Sequence, residues 1–148
     1  MNTIMNCWWQ VLLAGTLYFV LGAIWYSPIS LGSSWAKGHG IQIDPEARKN
    51  VNMGNLFALS FMCGLLLSAL VCWVCAASCG NVCNTNPTNM LMHCLKSGWA
   101  IGLGAFASMS MSFIYLQKPI NVYLIDGGYH LVGCTVAALV YYFTGCYC

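Results

Sequence analysis

Four long segments that are almost free of charged residues constrain what this chain can fold into. A helix needs about 20 predominantly apolar residues to cross the hydrocarbon core of a bilayer. Residues 4–26, 53–78, 90–116 and 121–145 meet that length. Only 5% of the residues are charged, whereas a soluble domain carries roughly a quarter. The sequence therefore predicts an all-α polytopic membrane protein, with four transmembrane helices in a compact bundle that forms a single domain over residues 1–148.

Composition and motifs exclude several function classes. The formal net charge of +2 leaves no basic footprint for nucleic acid. The chain contains no glycine-rich phosphate loop and no recognised nucleophile motif, so we expect no catalytic residues, no cofactor and no enzyme activity. The N-terminal segment lacks a basic region followed by a small-residue cleavage site, so we expect it to be a retained span.

The distribution of basic residues predicts orientation through the positive-inside rule. The first and third loops lie on one side of the membrane and carry Lys37, Arg48, Lys49 and Lys118, while the other side has only Lys96. Both termini are therefore expected on the non-cytoplasmic side. The first loop also contains Trp35, which could anchor a short interfacial helix. The sequence does not indicate which membrane holds the protein.

Two stretches carry a family resemblance. "LGAIWYSPISLGSSWAK" closes the first span and contains G-x-x-W-Y-S-P at residues 22–28, and "KPINVYLIDGGYHLVG" opens the fourth and contains G-Y-H-L at residues 128–131. Together they resemble the uncharacterised membrane-protein family catalogued as domain of unknown function 1761, whose members look like four-span proteins. The resemblance implies the fold and the topology, and it implies no activity.

An acid and an imidazole lie one helical turn apart in the fourth span. Asp126 and His130, at i and i+4, share one helix face. The topology brings polar and aromatic side chains of the family-like stretches to the same half, which gives a candidate polar or ion site of Asp126, His130, Tyr129, Tyr26, Ser27 and Trp25. Asn52, Asn55, Tyr115 and Gln117 map to this end as well.

This polar half has two interpretations. The structural one is that Asp126, near a helix start and within reach of Lys118, fixes the helices through hydrogen bonds to His or Tyr. The functional one is a site for an ion, a proton or a small solute, since ionisable groups inside a membrane are costly and often functional. The structural interpretation is favoured, because an acid near a helix end costs little.

The ten cysteines allow further interpretations. Cys72 and Cys75 lie inside a span and are best interpreted as small packing residues. Six cysteines map near the outer face, where an oxidising compartment would let thiols form disulfides: Cys7, Cys79, Cys83, Cys94, Cys146 and Cys148. The candidate disulfide or thiol residues among them are Cys79, Cys83, Cys146 and Cys148. The cluster "MLMHC" at residues 90–94 offers ligands for a soft metal, but methionine is an ordinary packing residue, so no metal site is predicted.

Gly98 and Gly102 form a GxxxG pair, which permits close packing of helices in lipid. We expect them to pack helices within the chain, with a homo-oligomer interface as the alternative. The favoured function is a small oligomeric channel or transporter for an ion or small solute, with its polar half-site at the cytoplasmic end of spans one and four. A structural or accessory subunit of a larger membrane complex is the alternative, and a thiol-redox or soft-metal protein is a third. The expected partners are the lipid bilayer and either identical chains or other membrane subunits.

Overall fold

Five helices account for nearly all of the chain that the structure describes, which is residues 7–41, 52–77 and 86–145 of a computed structural model. They are α1 Trp8–Trp25, α2 Gly32–His39, α3 Met53–Ala77, α4 Pro87–Tyr115 and α5 Ile120–Thr144. The described residues contain no strand. All but α2 are long and apolar enough to cross a membrane. These findings confirm the predicted all-α fold with four candidate spans and indicate a multi-pass integral membrane protein.

The helix ends follow local backbone chemistry. Helix α4 begins at Pro87, three residues before the predicted start, with Asn86 in an extended conformation ahead of it. Proline is well tolerated at the first helical position, where its missing N–H would have no partner inside the helix. Helix α5 ends at Gly145, whose φ of 70° is the left-handed conformation that favours glycine.

The largest helix–helix contact joins α4 and α5. A tight turn connects them, with Gln117 at a φ of 49°. A Cβ atom on Gly98 would lie 2.6 Å from the carbonyl oxygen of Cys134, and one on Gly102 would lie 3.0 Å from the Cα atom of Leu131. Both glycines therefore face α5 within the same chain and let the two backbones approach.

Helix α2 lies across the end of the helices where α1 stops. The chain leaves α1 through a turn in which the carbonyl oxygen of Ser27 accepts the N–H groups of Ser30 and Gly32. Helix α2 then packs on α5. A Cβ atom at Gly38 would overlap the side chain of Val122, so glycine at this position permits the close contact.

A buried cluster extends from Tyr18, in the middle of α1, towards the end of the molecule opposite α2. It includes Tyr18, Val71, Cys134 and Tyr141, all essentially inaccessible. The hydroxyls of Ser68 and Tyr141 lie 2.7 Å apart, and the Tyr141 hydroxyl also donates to the Ser68 carbonyl oxygen. These bonds satisfy polar groups that would otherwise be costly in an apolar interior.

Candidate polar site and adjoining pocket

Asp126 lies in the second turn of α5 and is 7% exposed. Its Oδ1 atom accepts hydrogen bonds from the Tyr26 hydroxyl at 2.7 Å and from the Trp35 indole N–H at 2.8 Å. One donor comes from the end of α1 and the other from α2. The carboxylate therefore joins three segments that are distant in sequence.

The second oxygen of Asp126 faces His39. The distance from His39 Nε2 to Asp126 Oδ2 is 3.6 Å, which makes an ion pair when the imidazole is protonated but is too long for a hydrogen bond. His39 Nε2 has no hydrogen-bond partner in the described part of the chain. The ring of His39 packs on Trp35 with centroids 4.6 Å apart. The two residues therefore hold α2 against the Asp126 carboxylate.

Lys118 lies on the same side but does not neutralise Asp126. Its ammonium group donates to the backbone carbonyl of His39 at 3.2 Å. It therefore ties the α4–α5 turn to the C-terminal end of α2, where a cation is favourable.

His130 has a different partner from Asp126, although both lie on α5. Its Nδ1 atom is 2.7 Å from the hydroxyl of Tyr18 in α1. The Tyr129 hydroxyl donates to the Tyr18 carbonyl at 3.3 Å, and the two tyrosine rings meet edge to face. The acid and the imidazole predicted to act as a pair thus form two separate contacts between α5 and α1.

The other predicted site residues fall around these contacts. The Trp25 indole N–H donates to the Ile125 carbonyl at 3.0 Å and so packs the end of α1 on α5. Ser27 takes part through its backbone carbonyl in the turn before α2. Asn52 caps α3 by accepting the Asn55 N–H. Tyr115 and Gln117 are exposed and do not join the site. The candidate disulfide residues Cys79, Cys83, Cys146 and Cys148 lie outside the described residues.

A pocket of about 570 Å³ adjoins the Tyr18–His130 contact. It lies between α1, α3 and α5, and its polar lining comes from Tyr18, Tyr26, Ser60, Tyr129 and His130. The remaining lining residues are Cys63, with its thiol, and residues that are apolar or aromatic. The exposed side chains of Phe57 and Leu59 are part of the wall, so the pocket opens on the apolar outside of the helices.

Sequence reasoning missed three residues of this region. His39 was one histidine in a polar loop, and nothing in its neighbours marks it as a partner of Asp126. Trp35 was interpreted as an interfacial anchor, whereas its indole N–H is bound to the carboxylate. Tyr18 lies in a mostly apolar run in which Thr16 is the nearest other residue with a polar side chain. Its only signal is a hydroxyl in mid-span, which needs a partner in an apolar medium.

Comparison with known proteins identifies the family of this chain. The family model described as "Protein of unknown function (DUF1761)" matches residues 9–142. No curated protein and no solved structure matches the chain.

Proposed function

From the premise that this chain belongs to the DUF1761 family of unknown function, we propose that it binds a small, uncharged, amphipathic solute and carries it within the membrane. The observation behind this proposal is the pocket between α1, α3 and α5, whose volume of about 570 Å³ is that of a small-molecule site. A mostly apolar wall with a few convergent polar groups is the usual composition of such sites.

The charge of the lining favours an uncharged solute over an ion. Among the described residues, no aspartate, glutamate, lysine or arginine lines the pocket. Asp126 lies nearby, but its Oδ1 atom accepts hydrogen bonds from Tyr26 and Trp35, and its Oδ2 atom faces His39. An ion entering the pocket would lose its hydration without meeting an opposite charge, which is expensive in an apolar medium.

The proposal gives each part of the solute a place in the pocket. A hydroxyl or carbonyl head would exchange hydrogen bonds with the partly exposed His130 ring, which the Tyr18 hydroxyl orients from the pocket wall. An apolar tail would lie along Phe57 and Leu59, towards the lipid. Because the opening is on the apolar side, the solute would enter from the bilayer.

Photoaffinity labelling in nanodiscs tests the site. The probe is a medium-chain alcohol that carries a diazirine in its chain, and the comparison probes have the same chain ending in a sulfonate or a trimethylammonium group. We expect saturable labelling by the alcohol, displaced by unlabelled alcohol, on peptides that contain Phe57, Cys63 or Tyr129. Neither charged probe should label these peptides saturably.

A pocket-filling variant provides the matched control. Cys63→Trp places a large ring in the pocket and should abolish saturable labelling. Leu56→Trp adds a similar ring to an exposed position of the same helix outside the pocket and should leave labelling unchanged. Labelling that never saturates would mean that the probe reacts from bulk lipid, and equal labelling of both variants would reject the pocket.

Carriage is then measured as protein-dependent exchange of the alcohol between proteoliposomes, which Cys63→Trp should also abolish.

A further inference from the structure

Two buried cysteines meet in the half of the molecule opposite the pocket. Cys75 lies in the last turn of α3 and Cys94 in the first turns of α4, and neither is exposed. Their sulfur atoms are 3.1 Å apart. A disulfide bond is about 2.05 Å long, so closure needs a shift of about 1 Å, within reach of small side-chain rotations.

A neighbouring contact holds the two helix ends in this register. The Nε2 atom of His93 lies 3.0 Å from the backbone carbonyl oxygen of Cys75. A carbonyl only accepts, so this ring nitrogen carries the hydrogen. The bond satisfies a carbonyl at the end of α3, and it fixes the residue next to Cys94 against Cys75.

We propose that Cys75 and Cys94 form a structural disulfide that links α3 to α4. The oxidant is the disulfide of a thiol–disulfide exchange protein or of a small molecule such as oxidised glutathione. The thiolate of one cysteine attacks this disulfide, forms a mixed disulfide and releases one thiol of the oxidant. The second cysteine attacks the mixed sulfur and releases the other thiol, so two protons and two electrons leave the protein. Because both sulfurs are inaccessible in the folded chain, the exchange takes place before α4 packs on α3.

The same cluster contains a second sign of oxidation. Cys7, immediately before α1, is disulfide-bonded and belongs to the buried cluster that holds Cys75 and Cys94. Disulfides persist in oxidising compartments and are rare in the cytosol. The proposal therefore places this end of the helices in an oxidising compartment. The end of the helices that holds α2 and Lys118 then lies in the cytoplasm, which agrees with the positive-inside rule. This inference is independent of the proposed solute.

Fragment mapping tests the bond in the full-length protein from its own membrane. Membranes are quenched with acid, thiols are blocked with N-ethylmaleimide in denaturing detergent, and the chain is cleaved at methionine with cyanogen bromide without reduction. Cleavage after Met62, Met90, Met92 and Met109 yields fragments 63–90 and 93–109, and Cys94 is the only cysteine of the second. We expect the two fragments to migrate as one linked species that reductant separates.

Two serine variants assign the partner. Cys75→Ser should abolish the linked species and leave Cys94 alkylated. Cys72→Ser changes an equally buried cysteine one turn earlier in the same helix, and it should leave the linked species intact. Alkylation of both Cys75 and Cys94 in the wild-type protein would overturn the proposal, and so would a linked species that survives Cys75→Ser.

Discussion

At the residue scale, Asp126 acts as an acceptor that organises donors from other segments. Its Oδ1 atom holds the Tyr26 hydroxyl and the Trp35 indole N–H in a buried position. Both donors would lose their partner if the acceptor were removed. The cost of such unsatisfied buried groups exceeds the gain from an average hydrogen bond, so the identity of the side chain at 126 matters more than its charge alone.

Two substitutions at Asp126 separate these effects. Asp126→Leu should destabilise the protein by about 2–5 kcal/mol, because it leaves two buried donors without an acceptor. Asp126→Asn keeps an acceptor oxygen and should cost about 1–2 kcal/mol, the difference between a charge-assisted and a neutral bond. Reversible unfolding in mixed micelles measures both values. Tyr115→Phe, at an exposed tyrosine, is the control, and equal stabilities for the Leu and Asn variants would contradict this role.

The hydroxyl of Tyr18 gives a second test at this scale. Tyr18→Phe removes the group 2.7 Å from His130 Nδ1 while keeping the ring. Affinity for the alcohol probe should fall roughly 2- to 10-fold, the equivalent of one hydrogen bond. Tyr123→Phe removes a similar bond, to Ser110, away from the pocket and should leave the probe affinity unchanged. Equal losses in the two variants would remove Tyr18 from the binding site.

At the element scale, the sequence predicted the long helices better than the short one. Runs of apolar residues mark α1, α3, α4 and α5 because lipid requires them. The sequence predicts a short interfacial helix near Trp35. It does not predict which face of that helix contacts α5, because that face depends on Gly38, on the turn at Ser27 and on the residue at which α5 begins. Those tertiary contacts carry no periodic signal, so His39 could not be identified as a neighbour of Asp126.

A substitution at Gly38 tests the packing of α2 on α5. Gly38→Val adds atoms that would overlap Val122, and overpacking of this kind costs about 1–3 kcal/mol. Trypsin cleavage at Lys37 in nanodiscs should therefore be faster by roughly tenfold, since 1.4 kcal/mol is a tenfold change in an equilibrium. Ser34→Ala, on an exposed face of the same helix, should cleave at the wild-type rate. An unchanged rate for Gly38→Val would show that the close contact does not hold α2.

The contact between α4 and α5 is tested by two alanine substitutions. Gly98→Ala would bring a methyl group within 2.6 Å of the Cys134 carbonyl and should destabilise the protein by about 1–3 kcal/mol. Gly104 lies in the same helix, and no described residue outside its own helix turns lies within 4 Å of its Cβ position. Gly104→Ala should be neutral or stabilising by up to about 1 kcal/mol. Unfolding in mixed micelles compares them, and a larger loss for Gly104→Ala would point to an interface between chains.

At the scale of the whole molecule, the chemistry divides between two halves. One half holds Asp126, His130 and the pocket, and the other holds Cys75 and Cys94 in the buried cluster. The sequence predicted that Asp126, Tyr26 and the family-like stretches lie in one half, because the order of the motifs and the topology of the spans determine that position. It could not provide the pocket, which depends on how α3 packs beside α1 and α5, and α3 carries no charged residue to mark its inward face.

The last prediction concerns how many chains are needed to bind the solute. Helices α1, α3 and α5 of one chain are sufficient to form the walls of the pocket, so we expect one chain to bind the solute. In nanodiscs diluted to one chain each, saturable labelling by the alcohol probe should match that of discs holding several chains, with equal half-saturation. Discs holding only Cys63→Trp chains give the background. Labelling that appears only in discs with several chains would mean that the site is formed between chains, and the oligomeric pore expected from the sequence would then be favoured over a carrier that works as a monomer.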